Sequence, residues 1–91
     1  FIFSDDIKWC KNNFNFIENK IFIEESKNAV EDLVLMKNCK HNIIANSTFS
    51  WWGAWLNENP EKIVISPFKW FVNYEMNQNT STLIPSTWLR L

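Results

Sequence analysis

A cluster of hydroxyl and amide side chains has the residue types that bind phosphate. It contains Asn46, Ser47, Thr48 and Ser50. The cluster follows a short apolar run at residues 42–45, which is typical of a buried strand, and it precedes apolar residues at helical spacing. A helix N-terminus has free N–H groups and partial positive charge, so the sequence predicts an anion site at this turn. The alternative left open is that these side chains are helix caps alone.

Two adjacent carboxylates, Asp5 and Asp6, stand between the apolar residues 1–3 and a helical pattern at residues 7–14. One of them can cap the predicted helix. Adjacent aspartates can also hold a divalent metal against a pyrophosphate, but capping needs no further assumption, and we therefore expect no metal. A third role is acceptance of hydrogen bonds from a guanine edge or a ribose.

Four short apolar runs alternate with three helical patterns along the chain. The runs are residues 1–4, 20–23, 42–45 and 62–66, and the helical patterns are residues 7–14, 28–39 and 50–56. This alternation predicts an α/β fold: a Rossmann-like, mostly parallel sheet of about four strands with flanking helices. Ligands of such sheets bind outside the carboxyl ends of the strands. The polar turns 4–6, 24–26 and 46–48 are therefore predicted to converge on one edge.

Several other segments carry weaker predictions. Glu24 and Glu25 are expected in a solvated turn, with a place near the ligand as the alternative. The aromatic residues 68–71 can pack over the sheet or form a wall for a sugar or base. Residues 73–82 are polar and aperiodic, which predicts an exposed loop, and residues 83–91 are predicted to be a short docked tail.

Four single residues are informative. Gly53, the only glycine, lies inside a predicted helix, which suggests close approach of another backbone or of a ligand. His41 precedes a strand at the end opposite the ligand edge and is predicted to be structural. Cys10 and Cys39 lack metal-site spacing, so we expect buried thiols.

Composition narrows the possible partners. The net charge of −1 provides no basic field for nucleic acid. No apolar stretch approaches the roughly 20 residues that span a bilayer. The chain begins at Phe1 inside an apolar run, so the simplest expectation is a single partial domain, residues 1–91, from the C-terminal part of a longer protein. We expect a bacterial protein that is cytoplasmic or peripherally associated with a membrane.

Residues 46–56, which read Asn-Ser-Thr-Phe-Ser-Trp-Trp-Gly-Ala-Trp-Leu, resemble the C-terminal motif of the family-11 glycosyltransferases, the α-1,2-fucosyltransferases. The similarity extends over most of the 91 residues. The resemblance implies the C-terminal, nucleotide-sugar-binding half of a two-domain transferase of the GT-B type. Such an enzyme takes fucose from GDP-fucose, without a metal or other cofactor, and transfers it with inversion to the 2-hydroxyl of a galactose-terminated glycan.

The resemblance also implies roles for single residues. Ser47, Thr48 and Phe49, with the N–H groups of the next turn, would hold the pyrophosphate, and Asp5 or Asp6 would contact the guanosine. The His-x-Arg-Arg motif of the family does not occur in these residues and is expected in the missing N-terminal part of the same chain. No general base can be assigned. The alternatives are a noncatalytic nucleotide- or carbohydrate-binding module, which solvent-facing rings at Trp51, Trp52 and Trp55 would favour, and a purely structural α/β domain.

Overall fold

The computed structural model describes residues 1–91, which divide into two compact units, residues 1–32 and residues 33–91. Both cysteines have free thiols; that of Cys10 is buried and that of Cys39 is partly buried. None of the helices combines the length and apolar character that crossing a membrane requires.

The first unit contains a helix and one parallel bridge. Helix α1 spans Ile7–Asn13, as its apolar spacing predicts. Ile2 pairs in parallel with Phe22, and the N–H of Ile2 donates to the carbonyl of Ile21 at 2.8 Å. The predicted strands at residues 1–4 and 20–23 therefore meet with the expected direction but extend over a single bridge. Each apolar run is only three residues long, which leaves little apolar surface to hold a longer ladder.

Helix α2 spans Ala29–Lys37, within the helical pattern predicted at residues 28–39. The Asn28 side chain accepts a hydrogen bond from the N–H of Glu31 at 3.0 Å. The Glu31 carboxylate accepts in return from the N–H of Lys27 at 2.6 Å, one residue before the cap. The pair thus acts as a capping box that satisfies two donors at the helix start.

The second unit is built on three parallel strands in the order β1-β2-β3: Asn42–Ile43, Val64–Ser66 and Leu89–Arg90. Helix α3, Thr48–Trp55, connects β1 to β2. The hydrophobic core of this second unit consists of Ile44, Ala54, Val64, Trp70, Ile84 and Trp88. The predicted α/β class and parallel pairing are confirmed. A sheet of this kind brings the carboxyl ends of its strands to one edge.

Residues 73–82 are mostly exposed, as predicted, but the prediction of a loop is wrong. This segment forms helix α4, Tyr74–Gln78, and a 3₁₀ turn, Thr80–Thr82. The Asn73 side chain caps α4 by accepting from the N–H of Met76 at 3.1 Å. Thr80 is buried, and its hydroxyl donates to the carbonyl of Asn77 at 3.0 Å. The helix is short and polar, so local caps define it and no apolar period marks it in the sequence.

The tail predicted at residues 83–91 is docked, as expected, and it ends in a strand of the sheet, Leu89–Arg90. Ile65 is in register with Leu89, and Ser66 with Arg90. The N–H of Leu91 donates to the carbonyl of Ser66 at 3.0 Å, and Trp88 is buried in the core. A two-residue strand is too short for its alternation to be recognised from the sequence.

Candidate functional site

The turn between β1 and α3 holds its two serines in local hydrogen bonds. Ser47 has extended backbone angles and caps α3, because its hydroxyl oxygen accepts from the N–H of Ser50 at 3.4 Å. The Ser50 hydroxyl has two carbonyl acceptors within reach, Ala45 at 3.1 Å and Ser47 at 3.0 Å. Capping, the alternative that the sequence left open, therefore describes Ser47, whereas the Ser50 hydroxyl is used by main-chain carbonyls.

Thr48 differs from the serines on either side. It is the first residue of α3 and is exposed, and none of the turn's hydrogen bonds uses its hydroxyl. The N–H groups of Thr48 and Phe49 belong to the first turn of the helix, where no carbonyl of the same helix can accept from them. One hydroxyl and two N–H donors thus remain for an anion at the positive end of the helix dipole.

The remaining predicted residues of this turn are partly committed to the fold. The side-chain nitrogen of Asn46 donates to the main-chain carbonyl of Trp70 at 3.2 Å. The side-chain oxygen of Asn46 stays free for a ligand. The Phe49 side chain is partly buried. Its contribution to a site is therefore the main-chain N–H rather than the ring.

Arg90, the only arginine, lies at the carboxyl edge of the same sheet, a position that the sequence-based prediction missed. Its guanidinium donates to the carbonyl of Phe68 at 2.6 Å and lies 5.3 Å from the centre of the Phe68 ring. These contacts fix the side chain of Arg90.

The tryptophans of α3 divide between the core and solvent. Trp51 stacks on Trp55 at 5.2 Å, and its ring N–H donates to the carbonyl of Leu83 at 2.8 Å. Trp52 and Trp55 are 49% and 51% exposed. Among the later aromatics, Trp70 packs in the core as one alternative predicted, whereas Phe68 is largely exposed.

In the first unit the two aspartates have different roles. Asp6 caps α1, since its carboxylate accepts from the N–H of Trp9 at 3.0 Å. Asp5 is exposed and has no capping role. Glu24 forms an ion pair with Lys11 at 2.6 Å, and both side chains are about half exposed, in agreement with a solvated turn. Because Ile2 and Phe22 pair in parallel, the turns that follow them lie at the same end of that pair.

Gly53 lies against the side chain of Met36, not against a ligand or another backbone as predicted. A Cβ atom placed on Gly53 would lie 2.9 Å from both Cβ and Sδ of Met36. The glycine thus makes room for the close packing of α2 on α3.

An open cleft of about 650 Å³ lies at the amino ends of β1 and β2, away from the turn at residues 46–50. Its lining includes His41, Asn57 and Glu61. The Nδ1 atom of His41 accepts from the N–H of Ile63 at 3.0 Å, which supports the predicted structural role. The cleft therefore does not belong to the predicted anion site.

Comparison with known proteins identifies relatives over the full chain. The model of glycosyl transferase family 11 matches residues 1–89. The O-antigen biosynthesis glycosyltransferase WbnK of Escherichia coli is 47% identical over 92 residues, 99% of this chain and 29% of that protein. An alpha-1,2-colitosyltransferase of Escherichia coli is 45% identical over 95 residues, 100% of this chain and 32% of that protein.

A more distant relative is the galactoside 2-alpha-L-fucosyltransferase SEC1 of Bos taurus, which is 33% identical over 58 residues, 60% of this chain and 16% of that protein. No solved structure matches the chain. The chain spans about a third of the length of the Escherichia coli relatives.

Proposed function

Because the chain belongs to glycosyl transferase family 11, we propose that it forms the donor-binding part of a longer, GT-B type transferase. That enzyme would move fucose from GDP-fucose, with inversion, to the 2-hydroxyl of a terminal galactoside. The names of two relatives support position 2, since one is an alpha-1,2-colitosyltransferase and the other a galactoside 2-alpha-L-fucosyltransferase. The full-length relatives are about three times as long, so the rest of the enzyme would lie outside these residues.

The observation that carries the proposal is the amino-terminal turn of α3. The Thr48 hydroxyl and the N–H groups of Thr48 and Phe49 are free at a helix N-terminus, and this turn follows the carboxyl end of a parallel strand. During transfer the departing GDP gains negative charge. A preorganised helix N-terminus stabilises that charge without reorganising, which lowers the barrier to transfer.

The donor sugar is the point at which the relatives differ. A colitosyltransferase is 45% identical over the whole chain, whereas the fucosyltransferase match covers 60% of it. We keep fucose as the proposed sugar because of the resemblance at residues 46–56. Assay of the full-length enzyme with GDP-fucose beside the corresponding colitose donor would separate the two. A strong preference for the colitose donor would replace fucose by colitose in the proposal and leave the proposed phosphate site unchanged.

The half-exposed rings of Trp52 and Trp55 favour a second candidate, a noncatalytic carbohydrate-binding module. Exposed aromatic faces can stack on sugars, and such a module would bind glycans without turning over a donor. Absence of product from the full-length protein, together with glycan binding that Trp55→Ala abolishes, would support this candidate.

The guanosine contact proposed for Asp5 or Asp6 stays a prediction, although the capping role of Asp6 leaves Asp5 the freer carboxylate.

The decisive test compares two adjacent hydroxyls in the full-length enzyme. Thr48→Val removes the hydroxyl and keeps the shape, so we expect kcat/KM for GDP-fucose to fall by roughly 10- to 150-fold, the equivalent of about 1.5–3 kcal/mol for a hydrogen bond to a charged group. Its melting temperature should stay near that of the wild type. Thr48→Ser retains a hydroxyl and should keep most of the activity.

Ser47→Ala is the matched control, because Ser47 is the helix cap. Loss of the cap should destabilise the fold by about 0.5–2 kcal/mol. The long 3.4 Å capping distance places the expected value at the lower end. We expect a smaller effect on kcat/KM than Thr48→Val has. Normal donor kinetics in Thr48→Val would show that this turn caps the helix and does not bind the donor.

A further inference from the structure

The sheet of the second unit has one buried face. Along each strand, alternate residues point to opposite faces. Asn42, Val64, Ser66 and Trp88 are buried on one side, with the core that includes Ala54 of α3. This side accounts for the apolar core of residues 33–91.

The opposite side of the sheet is apolar and open. Ile43, Ile65 and Leu89 stand in register across the three strands. Ile63 and Leu91 continue the same alternation at either end. We refer to these five residues as the open sheet face. Ile43 is 83% exposed and Leu89 53%, and no residue of the face is charged or polar.

An open face of this kind is unusual for a parallel sheet. Parallel sheets occur almost only with both faces covered. A contiguous exposed aliphatic surface of several residues normally marks an interaction site. The exposure of Ile43 therefore calls for a partner whose surface is apolar and uncharged.

We propose that the open sheet face is covered by the apolar side of a helical segment from the same enzyme, outside residues 1–91. Two thirds or more of each Escherichia coli relative lies outside the matched region, so polypeptide is available for this role. A helix with one apolar stripe is the standard cover of a sheet face. The inference rests on the proposed function in one respect, that the chain is part of a longer enzyme.

The test is thiol labelling in the full-length enzyme. In a background with Cys10→Ala and Cys39→Ser, single variants Ile43→Cys and Leu89→Cys place thiols on the open sheet face, and Val72→Cys places one at a fully exposed site (105%) outside it. We expect maleimide to label the first two at least roughly 100-fold more slowly than the third, because a covered thiol reacts only through local opening. In urea the three rates should become equal.

A crosslink identifies the occupant. With benzoylphenylalanine in place of Ile43, irradiation and peptide mapping should join position 43 to a segment outside residues 1–91 of the same molecule. A crosslink to residues 1–91, a crosslink between two copies, or rapid labelling of both face thiols in the monomeric enzyme would overturn the proposal. Neither measurement uses GDP-fucose. Failure of the Thr48→Val test would therefore leave this result unaffected, and the reverse also holds.

Discussion

Asn57 is 4% exposed, and its side chain joins three segments of the second unit. Its amide nitrogen donates to the carbonyl of Cys39 at 2.7 Å and to the side-chain oxygen of Asn42 at 2.8 Å. Its own side-chain oxygen accepts from the N–H of Asn59 at 3.0 Å. The network thus links three segments: the residues after α2, strand β1 and the residues after α3.

We expect Asn57→Leu to destabilise the second unit strongly. The carbonyl of Cys39 and the amide oxygen of Asn42 would lose their donor, and an unsatisfied buried group costs about 1–3 kcal/mol. Urea unfolding provides the measurement. Asn38→Ala is the control, because Asn38 is exposed and bonds only within its helix end, to the carbonyl of Val34. Equal effects of the two substitutions would contradict the importance of the buried network.

The substitution Gly53→Ala has two opposing effects on the stability of the fold. Alanine should gain about 1 kcal/mol of helix propensity. Its Cβ would lie 2.9 Å from the Cβ of Met36, and such overpacking costs about 1–3 kcal/mol. Because the Cβ of Met36 cannot move without its helix, we expect a lower melting temperature. A melting temperature of Gly53→Ala above that of the wild type would show that the helices separate easily.

At the scale of secondary-structure elements, the sequence predicts the elements that are marked by residues close to them in the chain. Asp6 and Ser47 cap α1 and α3, and both lie within three residues of the N–H groups that they satisfy. β3 could not be predicted, because its pairing depends on Ser66, more than 20 residues earlier in the chain. That Ser47 rather than Thr48 caps α3 also required the structure, since both residue types can cap a helix.

The last segment should therefore contribute to stability rather than behave as a tail. Trp88 is buried, and its ring centre lies 5.8 Å from that of Trp51. We expect Trp88→Ala to cost about 3–5 kcal/mol, as large-to-small changes at buried aromatic sites do. Trp52→Ala, at a half-exposed position, is the matched control and should cost much less. Thermal unfolding measures both, and a small effect at Trp88 would show that the segment is only loosely docked.

At the scale of the whole molecule, the α/β class and the family were both predicted correctly. Each of these two predictions rests on a different kind of signal. The alternation of apolar runs and helical patterns indicates the α/β class without any ligand. The eleven residues 46–56 indicate the family, whose model matches residues 1–89.

The isolated 91-residue chain should show no transferase activity. The His-x-Arg-Arg motif is absent from these residues, and Arg90 is already held by the carbonyl and ring of Phe68. Thr48 is exposed, so water competes for the phosphate site, whereas efficient transfer requires a site that excludes water. The assay incubates the purified chain with GDP-fucose and a galactoside, and the full-length enzyme serves as the positive control.

Two products must be followed in that assay, because GDP can be released by hydrolysis as well as by transfer. We expect neither free GDP nor fucosylated galactoside above the background without protein. Fucosylated product from the isolated chain, lost again in Thr48→Val, would show that residues 1–91 contain a complete site. The general base would then have to be sought among these residues. His41 would be a poor candidate, because its Nδ1 atom already accepts from the N–H of Ile63 at the opposite end of the strands.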